Sequence, residues 1–343
     1  MARSPRVALT ALALALALGA GLVAFWRQGK PAERAGAREV TLYYLDPQAM
    51  FLVPVSRRLP LPPGTDRALQ AALDRLEDVP PGLASALPPM TRATVSGIKD
   101  GKAGVTLRLS GAAPGSGGEQ LMAAAVVRTA GAIDGIQEVA LSLEGPDGKP
   151  LASEHLDLSQ PLSPTDPGME NLYLEGGNGL TVTIYYRVPR SSYLVPVRVP
   201  LPAAYQNEPL KGGFALLLDG PPPALAAFLS PSLPGAWRWN GLEGTTARIL
   251  WKGSEPPQPL AIRALALTLT EREGIRAVRI DTEAGPLATK VGPFDLGRPV
   301  PRPEAINPLD DKVSVLGAPG MTVRPATGPL ALRGEQARAG LAV

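Results

Sequence analysis

The sequence predicts an α+β protein in which two copies of one small domain, each a small sheet with helices on one face, follow an N-terminal transmembrane helix. Three observations lead to this prediction. A strand-pair motif occurs twice, the apolar spacing within each copy follows the order β-β-α-β-β-α-β, and residues 7–26 form an uncharged run. Because the repeat is far longer than a solenoid unit, each copy is predicted to be a domain.

The repeated motif is a tyrosine pair, a seven-residue spacer and the segment Leu-Val-Pro-Val. It occupies residues 43–55 and again residues 185–197, a displacement of 142 positions. Shorter matches follow each copy, among them Pro-Leu-Pro and a Pro-x-Leu connection. Intact internal spacing in both copies indicates a duplicated fold and not a chance echo.

Residues 1–30 are predicted to be an uncleaved signal anchor. Arg3 and Arg6 precede the uncharged run, which as a helix spans about 30 Å, the thickness of the hydrocarbon core. A cleaved signal peptide is the alternative, since the run contains small residues suited to a cleavage site. Gly21 stands where a lipoprotein would carry its acylated cysteine. We therefore expect a single-pass protein of the cell membrane with its body outside the cytoplasm.

The first domain is predicted over residues 39–150. Residues 40–45 and 51–59 read as a strand pair, and Pro54 indicates an edge strand or a bulge because it has no N–H to donate. A helix follows a Pro-rich break, and Asp100-Gly101 predicts a two-residue hairpin turn. A second helix and a strand with alternating apolar residues complete the unit.

A linker is predicted at residues 151–178, a second domain at residues 180–290, and a Pro- and Gly-rich tail, mostly irregular, at residues 291–343. The second domain repeats the order of the first with two differences. The pair Gly212-Gly213 falls near its first helix and weakens that helix by roughly 1 kcal/mol per glycine relative to alanine. The Asp-Gly hairpin is replaced by a longer predicted turn from Asn240 to Gly244.

Composition excludes several classes of site. The chain has no cysteine and a single histidine, His155, which removes disulfides, Cys nucleophiles and multi-His metal centres. The net charge is only +3, and no dense Lys/Arg block suggests nucleic acid as a partner. Ser96 and Lys99 have the S-x-x-K spacing of acylases but lie in a predicted strand. No catalytic, cofactor-binding or metal-binding residue is predicted.

The repeated Tyr-Tyr strand, Leu-Val-Pro-Val, Pro-Leu-Pro and Ala/Leu helix, with the Pro-Pro-Gly-Leu connection and Asp-Gly hairpin of the first copy, resemble the GerMN domain. Two such domains behind a membrane signal resemble the GerM-like family of sporulation and spore germination proteins. The resemblance covers about residues 39–150 and 180–290 and is closer in the first copy. It implies an extracytoplasmic role in sporulation and germination, and a fold similar to the ring-building domains of the mother-cell–forespore channel. It implies no catalytic residues.

Six aromatic residues are candidates for a protein interface: Tyr43, Tyr44, Tyr185, Tyr186, Trp237 and Trp251. Neighbouring residues of a strand point to opposite faces, so one tyrosine of each pair is expected in the core while the other can be exposed. Aromatic residues are enriched at protein interfaces. The tryptophans have no counterparts in the first copy, and either a ligand patch or compensating core packing explains them.

These observations predict a non-enzymatic, membrane-anchored scaffold or assembly factor of sporulation and spore germination. It would act through contacts with other envelope proteins at its sheet edges, because edge strands are ready templates for association. The alternative is an envelope ligand-binding module for peptidoglycan or another cell-wall polymer, using the tryptophans.

Overall fold

The computed structural model describes residues 36–111, 114–153, 155–173 and 179–309. They form two α+β domains of the same element order, as the sequence predicts. The predicted signal anchor at residues 1–30 lies outside the described residues. Of the helices within the described ranges, none has the length and apolar character needed to cross a bilayer.

The first domain contains six strands, two α-helices and one 3-10 turn. They are β1 (Gly36–Leu45), β2 (Leu52–Leu61), α1 (Thr65–Asp74), the 3-10 turn Arg75–Glu77, β3 (Arg92–Lys99), β4 (Lys102–Arg108), α2 (Ser116–Gly131), β5 (Glu138–Glu144) and β6 (Pro150–Leu151). A 3-10 turn at Pro167–Met169 lies in the connection to the second domain.

The second domain repeats this order and is followed by short strands. They are β7 (Thr181–Arg187), β8 (Leu194–Pro200), the 3-10 turn Ala203–Tyr205, α3 (Pro209–Asp219), β9 (Trp237–Glu243), β10 (Thr246–Trp251), α4 (Pro259–Thr270), β11 (Ala277–Thr282), β12 (Gly285–Pro286), β13 (Lys290–Val291), β14 (Phe294–Asp295), β15 (Val300–Pro301) and β16 (Pro308–Leu309).

Each domain combines an antiparallel strand pair with a second, mixed sheet. β1 pairs with β2, and β7 pairs with β8. In the second sheet an antiparallel hairpin is joined by a parallel strand, giving β3-β4-β5 in one domain and β9-β10-β11 in the other. The parallel pairs β4-β5 and β10-β11 need a crossover, and α2 and α4 supply it.

Alternating side chains explain how the mixed sheet packs on the helices. Val139, Leu141 and Leu143 of β5 are buried, and the residues between them face solvent. The crossover helix α2 is instead apolar nearly all round, with a continuous buried run over residues 122–127. A helix with that pattern lies inside a core, so α2 is the central element of the first domain.

The turn predictions have different outcomes in the two domains. Asp100 and Gly101 adopt φ of 52° and 78°, which confirms the two-residue hairpin. The longer turn predicted from Asn240 to Gly244 is wrong, because β9 continues through Glu243. Gly241, with φ of 102°, lies where the β9-β10 register shifts. It therefore forms part of a β-bulge within the strand.

The predicted irregular tail also needs correction between residues 290 and 309. This segment forms β13–β16, and two of these strands join the domains' own sheets. β15 pairs with β11, while β16 runs parallel to β2 of the first domain. Residues beyond Leu309 lie outside the described residues.

Candidate functional site

The strands that carry the repeated Pro-Val motif, β2 and β8, meet at the boundary between the two domains. Pro54 and Pro196 occupy equivalent positions in them. A proline interrupts the hydrogen-bond ladder, so each strand leaves backbone groups that need partners from elsewhere. Two asparagine side chains supply these partners.

Asn171, in the connection after the first domain, joins β2 to β8 through hydrogen bonds. Its Oδ1 accepts a hydrogen bond from Leu52 N at 2.8 Å, and its Nδ2 donates to Leu52 O at 2.8 Å and to Pro196 O at 2.8 Å. Its own carbonyl accepts from Arg198 N at 2.8 Å. One residue therefore binds the first strand through its side chain and the second strand through both side chain and main chain.

Asn307 does the same in the opposite sense, after the second domain. Its Oδ1 accepts from Leu194 N at 2.7 Å, and its Nδ2 donates to Leu194 O and Pro54 O, both at 2.7 Å. Its carbonyl accepts from Ser56 N at 3.0 Å. Each asparagine thus caps a strand of the domain that precedes it and docks onto a strand of the other domain.

We call this contact the seam: β2, β8, Asn171, Asn307 and the short segments that follow the asparagines. Leu172 forms a parallel bridge with Arg198, and β16 pairs in parallel with β2. The segment that follows each domain therefore pairs with the Pro-containing strand of the other domain. Buried hydrogen bonds on both sides make the seam a fixed joint.

The seam changes the prediction that the Pro-containing strands offer edges to a partner. β2 is flanked by β1 and β16. β8 is flanked by β7 and by the segment from Asn171 to Tyr173. The chain itself therefore occupies both edges. The sequence does not reveal this, because the asparagines that bind these strands are distant from them in the chain.

The first tyrosine pair divides as predicted, with one side chain in the core. Tyr44 is fully buried, and its hydroxyl donates to Arg75 O at 2.9 Å. Tyr43 is half-buried, and the Arg128 guanidinium lies 5.0 Å from its ring centroid. Of this pair, only Tyr43 has surface to offer a partner.

The second pair departs from the prediction, because Tyr185 is 2% exposed and Tyr186 is 0% exposed. The Tyr185 hydroxyl donates to Glu271 Oε2 at 3.0 Å and accepts from Arg302 at 3.1 Å. Arg302 also binds Glu271 at 2.6 Å. Tyr185 is thus held in a charged network beside the seam, and neither tyrosine is accessible to a partner.

Tyr186 has a buried hydroxyl for which no described residue provides a hydrogen bond. Its counterpart Tyr44 uses carbonyls of the segment Arg75–Asp78. The second domain is shorter there, since Pro-Pro-Pro follows Asp219-Gly220 directly. The second domain therefore lacks the segment whose carbonyls accept this hydrogen bond in the first domain.

We expect Tyr186→Phe to leave the free energy of unfolding unchanged or raise it, since it removes an unpaired buried hydroxyl. Tyr44→Phe is the matched control and is expected to lower that free energy by about 1 kcal/mol, because Arg75 O loses its donor. Urea unfolding of both variants measures the difference. Equal losses in the two variants would contradict the assignment.

A small cleft of about 180 Å³ lies beside the seam and is lined by charged groups from both domains. Glu170 pairs with Arg198 at 3.2 Å and with Arg128 at 3.8 Å. Arg302 and Glu271 form the pair on the other side. Arg128, Arg198 and Arg302 are all paired with carboxylates. These ion pairs therefore join the domains, and the three guanidinium groups do not form an open site for an anion.

Two tryptophans of the second domain, Trp237 and Trp251, pack on each other. Trp237 is 6% exposed and lies 4.5 Å from the Trp251 ring, centroid to centroid. The half-buried Trp251 donates its indole N–H to Glu255 O at 2.8 Å and lies against Gly235 and Gly253. A Cβ on either glycine would collide with the ring. This geometry is that of core packing with one exposed indole edge.

Other polar candidates have structural roles or no constellation around them. Ser96 and Lys99 lie in β3, and His155 lies in an exposed loop. Buried Asp46 accepts backbone hydrogen bonds from Met50 and Phe51, both at 2.7 Å, and so holds the turn before β2. Within the described ranges, no group of acidic and imidazole side chains is arranged to hold a metal ion.

Residues 41–149 match the Germane family, described as "Sporulation and spore germination". The first domain is therefore GerM-like. Its fold is that of the tandem GerMN domains of the sporulation protein GerM from Bacillus subtilis, with a TM-score of 0.50 at 19% sequence identity, over 80% of this chain and 99% of that one. This confirms the resemblance drawn from the repeated motif.

Two further solved structures match parts of the GerM-like chain. The first GerMN domain of GerM from Bacillus subtilis is 24% identical, with a TM-score of 0.26 over 36% of this chain and 99% of that one. A putative lipoprotein from Clostridium perfringens is 21% identical, with a TM-score of 0.25 over 40% of this chain and 95% of that one. No curated protein gives a significant match.

Sequence reasoning missed the two residues that join the GerM-like domains, Asn171 and Asn307. They lie in segments predicted to be a linker and an irregular tail. A signal was available, because each asparagine follows a complete repeat and is followed by an apolar segment, Leu172 in one case and Pro308-Leu309 in the other. Searching the connections for the repeat would have found the pair.

Proposed function

We propose that this GerM-like chain is a non-enzymatic assembly factor of sporulation and spore germination that works through protein–protein contacts outside the cytoplasm. The observation that carries the proposal is the match of the first domain to the Germane family, on a fold of two tandem GerMN domains. The family concerns sporulation and germination, and the two-domain fold gives the role a physical basis.

The seam supports a scaffold role. Asn171 and Asn307 hold the domains at one relative orientation, so surfaces on the two domains keep a constant separation. A scaffold benefits from such rigidity, because a partner that contacts both domains then loses less conformational freedom on binding.

The proposed location is the cell membrane, with residues 1–30 as a single-pass anchor and the body outside. The uncharged run between basic residues supports this location. Other envelope and sporulation proteins are the proposed partners.

The second candidate function, a module that binds peptidoglycan or another cell-wall polymer, depends on Trp237 and Trp251. The exposed edge of the Trp251 indole favours it. Their mutual packing weighs against it, because a ring that supports the core has little surface left for a ligand.

The proposal is tested by deleting residues 40–150 in a spore-forming host that carries this gene. We expect fewer heat-resistant spores or slower germination, and the full-length gene restored at another locus should reverse the defect. Normal sporulation and normal germination in the deletion strain would contradict the assembly function.

The non-enzymatic part is tested separately with purified protein and isolated cell wall. We expect no release of soluble fragments. Turnover that a single substitution abolishes would overturn this part of the proposal and leave the location in the sporulation envelope standing.

A further inference from the structure

The outer edges of the two mixed sheets differ in whether the chain closes them. In the first domain, Gln70 of α1 closes the outer edge of β3. Its Oε1 accepts from Val95 N at 2.8 Å, and its Nε2 donates to Ala93 O at 2.9 Å. The carboxamide thus takes the place of a neighbouring strand. An edge closed in this way cannot pair with another chain.

The equivalent backbone groups of the second domain belong to Trp237 and Trp239. Ala236 O accepts from Lys252 N at 2.9 Å and so faces β10. Because successive residues of a strand alternate in direction, the N–H and C=O of Trp237 and Trp239 face away from β10. Within the described ranges, no residue hydrogen-bonds the outward N–H of Trp239 or C=O of Trp237.

The helix that would close this edge carries no amide side chain at the required position. α1 and α3 both end on aspartate, Asp74 and Asp219, and a closely similar pattern of burial precedes each, differing only at Leu73 and Leu218 over the six preceding residues. Ala215 precedes Asp219 by the same spacing as Gln70 precedes Asp74, so Ala215 occupies the position of Gln70 in the second domain. The Ala215 methyl group can neither donate nor accept, so the duplicated domain has an open edge where the first has a closed one.

The side chains along the open edge indicate what could pair with it. Leu242 is 53% exposed and lies opposite buried Ala247, so it points to the helix side of the sheet. Half-buried Trp239 faces the same side and packs on Phe214, with ring centroids 5.9 Å apart. Exposed Arg238 points to the other side and has no carboxylate partner among the described residues.

These side chains argue against a second copy of this chain as the occupant. A copy that paired antiparallel with both Trp237 and Trp239 would place Arg238 directly opposite the Arg238 of its neighbour. Like charges directly opposite each other destabilise a strand pair. A strand with a carboxylate at that position is favoured instead.

We propose that the outer edge of β9 binds an extended segment of a partner protein in which apolar and acidic residues alternate. The segment adds a strand to the β9-β10-β11 sheet, with its main chain bonded to Trp237 and Trp239, an apolar residue near Trp239 and Leu242, and a carboxylate at Arg238. This inference deepens the proposed assembly function, on which it rests, by naming the surface and the class of partner segment.

The test uses the full purified chain and an acetylated peptide of alternating valine and glutamate as the probe, with binding followed by fluorescence anisotropy. Ala215→Gln should close the edge as Gln70 does and weaken binding about tenfold or more. Arg238→Glu should weaken binding of this peptide and strengthen binding of a valine–lysine peptide. Unchanged thermal unfolding of both variants shows that the fold is intact.

Gln70→Ala is the matched opposite change, since it opens the edge of β3. It should add a second binding site or leave binding to β9 unaltered, and loss of binding would contradict the assignment to β9. Equal peptide affinity in wild type and Ala215→Gln overturns the proposal, as does a wild-type dimer in sedimentation that Ala215→Gln dissociates. Normal sporulation of an Ala215→Gln strain, beside a defective deletion strain, would overturn this inference and leave the assembly function standing.

Discussion

Replacing Asn171 and Asn307 together with alanine is expected to separate the unfolding of the two domains and to lower the free energy of unfolding by about 4 kcal/mol. Each substitution removes a side chain that satisfies both backbone groups of a buried leucine, Leu52 or Leu194. A buried group that loses its partner costs about 1–3 kcal/mol. Each single variant should therefore lose about 2 kcal/mol.

The tryptophan distribution makes the separation visible. Three of the four tryptophans, Trp237, Trp239 and Trp251, lie in the second domain, and the fourth, Trp26, precedes both domains. The change in fluorescence on unfolding therefore reports the second domain, while circular dichroism reports both. Coincident urea transitions are expected for the wild type, and transitions that differ between the two probes are expected for the double variant.

Asn207→Ala is the matched control, because Asn207 is exposed at the surface of the second domain. This change should alter the free energy of unfolding by no more than about 0.5 kcal/mol. If the double variant unfolds like the control, with both probes coincident, the seam does not couple the domains and the rigid-scaffold argument fails.

A steep loss of stability above pH 10 is the second large expected effect. Burial raises the pKa of Tyr44, Tyr185 and Tyr186 above their ordinary value of 10.0, and the carboxylates of Glu271 and Asp219 raise the pKa of Tyr185 and Tyr186 further. At these three tyrosines the folded protein therefore holds protons that the unfolded chain releases above pH 10. Stability is fully present below pH 10 and falls as pH rises toward the folded-state pKa values.

Each tyrosine contributes up to about 1.4 kcal/mol per pH unit, so the three together give a slope of up to about 4 kcal/mol per unit. Urea unfolding between pH 9 and pH 12 measures this slope. Tyr186→Phe should reduce it by about one third, because it removes one of the three raised tyrosines. A stability that stays constant from pH 9 to pH 12 would contradict the burial of these hydroxyls.

Much of the fold follows from local pattern. The alternation around Val139 and Leu141 predicts a strand, and Asp100-Gly101 predicts a hairpin because these residue types adopt positive φ readily. The repeated Tyr-Tyr and Leu-Val-Pro-Val segments predict the duplication without any structure. The predictions fail where one copy of the repeat differs from the other. Gly241, for example, is predicted to lie in a turn but forms part of a bulge in β9.

The candidate interface was harder to predict, because burial depends on what packs from elsewhere in the chain. Tyr43 and Tyr185 occupy the same position in their repeats, yet Tyr185 is buried with Arg302 and Glu271 while Tyr43 keeps exposed surface. Arg302 lies in the segment read as an irregular tail. No local pattern connects a residue there with a strand more than a hundred positions earlier.

Local sequence carries the order of strands and helices, the turns, the duplication and the family resemblance, since each depends on residues close together or on comparing two stretches of one chain. Which edges are closed depends on contacts between distant residues. Pro54 and Pro196 read as edge markers, but Asn171 and Asn307 return to those strands and occupy them. Gln70 closes β3, and Ala215 leaves β9 open. Because hydrogen-bond satisfaction of a strand edge is a property of the packed chain, these assignments required the three-dimensional structure.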